Sequence, residues 1–303
     1  MPPEDATHRH ASGTPATAAV ITAFRPGTEL AEAARAAARQ CVRVIVVDNT
    51  PAGESGADAV LGDMPGVTLL RDGANRGLAA ALNRGVAEAS GADALLLLDQ
   101  DSTVPDGLVS RLWASLEQDE RIAIAAPAPW DPGAQRFLDP RTRARAEVAD
   151  LDVVITSGML LRRSAADELG AFREDFFVDG VDQDYCLRAR RAGWRIVQDR
   201  RVLLPHSLGD TQWHGIGFLR VRASHHPTWR LYWMARNGVV LIRENLRHRP
   251  RWAMTSIALL SYWAAAVAAF EPPRAARLSA IRAGVRDGMR GGLDARFAPE
   301  AKR

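Results

Sequence analysis

Along the first two hundred residues, apolar positions fall in short unbroken runs separated by segments with helical spacing. Ala18–Phe24, Val42–Val47, Val67–Leu70 and Ala94–Leu98 are the runs, each of strand length. Glu29–Arg39 and Leu78–Ala89 between them carry charges and apolar residues at helical spacing. Runs with no polar alternation predict strands buried on both faces, and the strand–helix order predicts parallel pairing with helices above and below. Further on, Val153–Leu161 and Arg201–Leu204 predict strands, and Asp182–Ala192 and Trp229–Asn245 predict helices. Trp130–Asp150 holds Pro132, Pro140 and four arginines without a period, which predicts a surface loop.

The chain has 303 residues, enough for one large domain with an appendage, and its 25% charged content is that of a globular protein. Met1–Thr17 is polar, with no apolar core of a secretory signal, and is expected to be a loose tail. Cys41 and Cys186 stand alone without C-x-x-C spacing, so buried thiols in a reducing, cytoplasmic setting are expected. Charge is divided unevenly. Residues 1–242 carry 27 basic and 31 acidic side chains, whereas residues 243–303 carry 12 and 5. The high isoelectric point therefore belongs to the C-terminal fifth, which favours a local anionic partner over a nucleic-acid-binding fold.

In a parallel α/β sheet, ligands bind beyond the C-terminal strand ends, so the residues after each run are the candidates. Arg25-Pro26-Gly27 follows the first run and matches neither a G-x-G-x-x-G turn nor a P-loop. Asp48-Asn49 follows the second; the carboxylate can accept from a base or ribose, or simply cap a turn. Asn75-Arg76-Gly77 opens a helix after the third, where Gly77 permits close approach and the helix N-terminus favours a phosphate or sugar oxygen. The fourth run ends in LLLLDQDS, with Asp99 and Asp101 flanking Gln100. Two carboxylates at a buried strand end are costly without a cation, and a hard divalent ion shared with a diphosphate relieves that cost. FFVDGVDQDYCLR adds Asp179, Asp182 and Asp184 at a helix entry. Asp182 and Asp184 cannot both face one way, so one is expected in a site, as a possible general base, and the other in a capping role. His206 follows the last apolar run and is either structural or a ligand beside Asp101.

In this order VVDNT, NRGLAAALNRG, LDQDS, SGMLLRRS, DGVDQDYCLR, HSLGD and YWMARN resemble the family 2 glycosyltransferases, nearest their bacterial rhamnosyltransferase branch. The resemblance runs from Val20 to about Asn245. It implies an α/β GT-A fold, a Rossmann-like and mostly parallel sheet flanked by helices, with a C-terminal helical appendage. The expected division is a tail over 1–17, the GT-A domain over 18–242 and a basic helical region over 243–303. By the same resemblance, Thr22, Phe24, Arg25 and Asp48 surround the nucleotide base and ribose, with Asn75, Gly77, Asp99 and Gln100 completing the nucleotide-sugar site. Asp101, Asp99 and His206 are the implied ligands of Mg²⁺ or Mn²⁺. The family's base motif has Glu before Asp; here Val181 takes the Glu position, Asp182 the base position and Asp184 that of the later acid. Inverting transfer of L-rhamnose from dTDP-rhamnose to a glycan or lipid-linked acceptor is the implied reaction. The same machinery with a UDP-sugar, or a non-catalytic sugar-nucleotide binder, is the alternative.

Trp252–Phe270 contains no charged residue, and arginines flank it on both sides. Its length approaches that of a membrane span, but its alanines and hydroxyl residues moderate its hydrophobicity. Docking on an anionic cytoplasmic leaflet is the expected placement, ahead of burial against protein or a second copy, and ahead of a span.

Overall fold

The computed structural model describes residues 15–205, 212–216, 219–223 and 226–297. The chain begins with β1 (Thr17–Ala23), α1 (Glu29–Ala38), β2 (Arg43–Asp48), the short α2 (Ala57–Leu61), β3 (Val67–Arg71), α3 (Leu78–Glu88) and β4 (Ala94–Asp99). Next come α4 (Leu108–Leu116), β5 (Ile122–Asp131), β6 (Arg136–Phe137), β7 (Val148–Asp150), β8 (Met159–Arg162), α5 (Arg163–Leu169), α6 (Val181–Arg191) and β9 (Arg195–Pro205). A hairpin of β10 (Gln212–Ile216) and β11 (Leu219–Ala223) precedes the helices α7 (Thr228–Asn245), α8 (Pro250–Phe270) and α9 (Arg274–Arg290).

Among the described residues the main sheet has nine strands in the order β3-β2-β1-β4-β8-β5-β9-β7, with β6 paired to β5. Strands β3, β2, β1 and β4 are parallel, as are β5 and β9. Both faces are covered, which is why the strands read as continuous apolar runs. Val20, Ile45, Val47, Leu95 and Leu97 point into one core with α3 and α6. Ile21, Val44, Val46, Leu96 and Leu98 point into the other with α1 and α4. The α/β architecture with a C-terminal helical region is as expected.

Two local expectations are corrected. The run Val153–Leu161 is a strand only from Met159, because Thr156–Gly158 turns: the Met159 N–H donates to the Thr156 carbonyl and the Gly158 N–H to that of Leu97. The resulting β8 is antiparallel to both β4 and β5. The segment expected to be a loop, Trp130–Asp150, contains β6, a 3₁₀ turn and β7, which closes the sheet edge antiparallel to β9. Its arginines hid that structure from the apolar pattern, since they pair with neighbouring carboxylates, as Arg145 does with Asp139 at 2.9 Å.

Candidate active site

Strand β4 delivers Asp99 to its C-terminal end, and the next residues fold back as a turn in which the Ser102 N–H donates to the Asp99 carbonyl at 3.1 Å. The Ser102 hydroxyl accepts the Asp99 N–H at 3.0 Å and lies 2.8 Å from the Ser157 hydroxyl. The last residue of LDQDS, Ser102, thus ties the turn to the β8 side, leaving Asp101 exposed at its tip. Gln100 reaches back to β1, its Oε1 accepting the Phe24 N–H at 2.7 Å. Beside it, Arg25 has a left-handed backbone (φ 50°), held by its N–H donating to Thr50 Oγ1 at 2.8 Å. Its guanidinium lies 4.8 Å from the Phe24 ring centre and donates to Glu54 at 2.9 Å.

The loop before α3 completes this cleft. Asn49 Nδ2 donates to the Gly77 carbonyl at 2.9 Å, and Asn75 Oδ1 accepts the Gly77 N–H at 3.1 Å. Gly77 has φ +89°, and a Cβ there would stand 2.6 Å from the Phe177 carbonyl oxygen. That carbonyl accepts the first amide of α3, Leu78 N–H, at 2.8 Å. The glycine therefore lets the 177 loop pack on the helix entry. Thr22, Phe24, Arg25, Asn75, Gly77, Asp99 and Gln100 line one cavity of about 610 Å³, joined by Asn49, Phe177, Trp229 and Arg296. Asp48 does not line it. Its buried carboxylate accepts the Thr50 and Ala57 N–H groups at 2.9 and 2.8 Å and lies 3.4 Å from Arg71.

A second cavity of about 830 Å³ lies between the entry to α6 and helices α7 and α8, and Asp182 lines it. The loop before α6 turns through Asp179 (φ 56°) and Gly180 (φ 81°). An aspartate in that conformation is strained, and α7 restrains it. Arg230 donates to both Asp179 oxygens at 2.8–3.2 Å, and Asn237 Nδ2 donates to the carbonyls of Val178 and Asp179, both at 2.8 Å. Asp182 is half-buried and accepts the Gln183 N–H at 2.8 Å. Its carboxyl is pushed up to about 6, chiefly by burial, with the negative charges of Asp179 and Asp99 adding to the effect.

Asp184 faces the other way. It is buried, accepts from Arg188 at 2.8 Å, lies 3.6 Å from Arg173 and does not line the cavity. This separation follows from the helical positions of the two aspartates. His206 lies outside the described residues.

The two cavities meet. Leu78, Asp99 and Val178 line both, so Asp99 stands where the cleft at the ends of β1 and β4 opens toward Asp182. The residues around the sheet were legible in the sequence, whereas Trp229, Arg230, Asn237 and Arg296 were not singled out. Asn237 carried a faint signal as the end of the YWMARN block.

The fold is shared with a mannosyltransferase from Pyrobaculum calidifontis, solved with GDP-Man and Mn²⁺, which superposes with a TM-score of 0.58 at 15% identity, over 92% of this chain and 88% of the other. TarS from S. aureus, in a structure of residues 1–349, matches with a TM-score of 0.54 at 11% identity, covering 91% of each chain. At the level of sequence, the dTDP-rhamnosyl transferase RfbF of Shigella flexneri is 26% identical over 216 residues, 67% of this chain and 71% of the relative. The model of glycosyl transferase family 2 matches residues 18–170, from β1 through α5 and so across the turn that carries Asp99 and Asp101. On that match over half its length, the chain belongs to glycosyltransferase family 2 and is a glycosyltransferase.

Proposed function

We propose that the enzyme transfers L-rhamnose from dTDP-rhamnose to a hydroxyl of a glycan or glycolipid acceptor, with inversion at the anomeric carbon. The observation that carries the mechanism is the junction of the two cavities at Asp99, with Asp182 in the farther one. The smaller cleft is the donor side, where Phe24, Arg25, Asn49 and Gln100 hold the nucleotide. The larger cavity is the acceptor side. A donor sugar at the junction presents its anomeric carbon to a hydroxyl beside Asp182. The acceptor oxygen forms a bond to that carbon as the bond to the diphosphate breaks, and the electron pair leaves with the diphosphate. The acceptor proton passes to Asp182. The Gln183 N–H, donating to one Asp182 oxygen, orients the carboxylate for this role. A carboxyl titrating near 6 suits a base working near neutral pH. One displacement needs no covalent enzyme intermediate.

The donor set fits a divalent cation. Asp99 opens one tight turn and Asp101 stands exposed at its tip, and Asp99 adds to the negative charge that raises Asp182. Among the described residues no three His, Cys, Asp or Glu side chains come together, so this pair is the described donor set. Two carboxylates leave coordination positions for water and diphosphate oxygens, the habit of Mg²⁺ and Mn²⁺. Bound there, the ion would neutralise charge on the departing diphosphate.

The rhamnosyl donor rests on the Shigella flexneri relative. It is tested by following nucleoside diphosphate release from dTDP-rhamnose and a panel of UDP- and GDP-sugars, with Mg²⁺, Mn²⁺ or chelator. The expected result is turnover of dTDP-rhamnose alone, abolished by chelator and by Asp101→Ala. Turnover of a UDP-sugar instead overturns the donor, and unchanged activity of Asp101→Ala overturns the cation site.

A further inference from the structure

From Trp252 onward helix α8 has no charged side on which to face water, its polar groups being the hydroxyls of Thr255, Ser256, Ser261 and Tyr262, yet it lies on the surface. A helix without a polar face belongs in a protein core or in lipid. By length and composition α8 could cross a membrane, but only 17% of its most apolar stretch is buried. Its inner face, with Trp263, Ala264 and Val267, packs on α7 and α9. Its outer face presents Met254, Ile257, Leu259 and Tyr262, exposed by 61, 39, 60 and 52%. No Asp, Glu, Lys or Arg interrupts Trp252–Phe270. The exposed arginines Arg247 and Arg251 precede this face, and the exposed Arg274 and Arg282 follow it.

We propose that α8 docks, lying flat, on an anionic lipid bilayer, its outer face in the acyl boundary and the flanking arginines among the headgroups. Charge selects this occupant. The face is uncharged and both its ends are cationic, the arrangement that complements a layer of apolar chains beneath anionic headgroups. A second copy of the same face would bring the same arginines against each other. A span is excluded by the packing of α7 on α9: a crossing α8 would place its two neighbours on opposite sides of the membrane, whereas they lie side by side. The larger cavity opens along the same helix, since Trp252, Leu259, Leu260 and Trp263 line it. Docking therefore sets that cavity against the lipid surface, whichever sugar the enzyme transfers.

The test is flotation of the full chain with vesicles of phosphatidylcholine alone and of phosphatidylcholine with phosphatidylglycerol. Met254 and Tyr262 are exposed and do not line the cavity, so Met254→Gln/Tyr262→Gln is expected to keep the thermal midpoint. The expected result is flotation with the anionic vesicles that weakens with salt. Losing two inserted side chains should reduce partitioning on the order of a hundredfold in Met254→Gln/Tyr262→Gln. Arg247→Gln/Arg274→Gln should lose about thirtyfold, from about 1 kcal/mol for each arginine near an anionic surface. Wild-type protein that stays at the bottom of the gradient with both vesicle types overturns the proposal. So does flotation unchanged in the Met254→Gln/Tyr262→Gln variant. Light scattering that finds a wild-type dimer which the same variant dissociates assigns the face to a second copy instead.

Discussion

Replacing Asp182 by Asn should make the protein inactive and more stable at neutral pH. Its carboxyl titrates near 6 in the folded chain against 3.8 for an ordinary aspartate, because burial and the charges of Asp179 and Asp99 oppose its ionisation. A raised folded value stabilises below the unfolded value, and that contribution disappears as pH climbs through the folded one. Between about pH 4 and 6 the native carboxyl keeps a proton that the unfolded chain has released, so wild-type stability falls with rising pH over this window. At about 1.4 kcal/mol per pH unit, the shift corresponds to about 3 kcal/mol at most. The side chain is half-buried, and water reaching it screens part of this, so about 1–2 kcal/mol is expected. The asparagine variant lacks the contribution. Its advantage over wild type should be close to zero below pH 4, grow through pH 5 and level off above pH 6. Urea unfolding of both proteins in chelator, at several pH values, measures the difference directly. An Asp182→Asn variant no more stable than wild type at pH 7.5, or equally advantaged at every pH, would refute the reasoning.

Three further outcomes follow from the same geometry. Asp179→Asn removes one of the charges that raise Asp182 while keeping a residue tolerant of a left-handed backbone, so the acid limb of the pH–rate profile should move to lower pH; an unmoved or raised limb contradicts this. Gly77→Ala must fit a Cβ 2.6 Å from the Phe177 carbonyl at φ +89°, and should cost about 2–4 kcal/mol in urea unfolding with loss of donor binding. A loss below about 0.5 kcal/mol would show that the 177 loop moves aside freely. Cys186 is buried and its thiol is pushed up to about 12 by burial, so iodoacetamide should leave it unmodified at pH 8 until the protein unfolds; rapid labelling of the native protein contradicts its placement.

The parallel half of the sheet was legible because burial on both faces removes polar residues from a strand, and VRVIVV or ALLLL then has few other solutions. The edge was not. β7 pairs on one side only, is nowhere fully buried, has arginines nearby, and its three residues are too few to show a period. The smaller cleft was legible for a similar reason: its residues follow the buried runs, where an α/β fold opens a cleft. Asp48 shares that location and yet turns inward, because the loop after β2 needs a buried acceptor for the Thr50 and Ala57 amides. Position at a strand end announces a carboxylate near the site but not the direction in which it points. For Asp182 and Asp184 helical spacing did separate the two directions, and Arg188, one turn after Asp184, marks the aspartate that is turned away.

The larger gap in the sequence reading concerns the C-terminal region, set apart there as an appendage beginning at residue 243. α7 runs through that boundary and holds the site from behind, with Arg230 on Asp179 and Asn237 on the carbonyls of the same turn. α9 in turn holds α7 at close range: a Cβ on Gly284 or Gly288 would stand 2.4 or 2.6 Å from the Tyr232 or Arg236 carbonyl. Two glycines one turn apart read in a sequence only as weak points in a helix. In the fold they let two backbones approach, and that approach fixes the helix whose side chains restrain the strained turn before Asp182. The strain at Asp179 is thus stabilised from outside the sheet, by helices whose sequence shows basic charge and small residues and nothing of the chemistry they support.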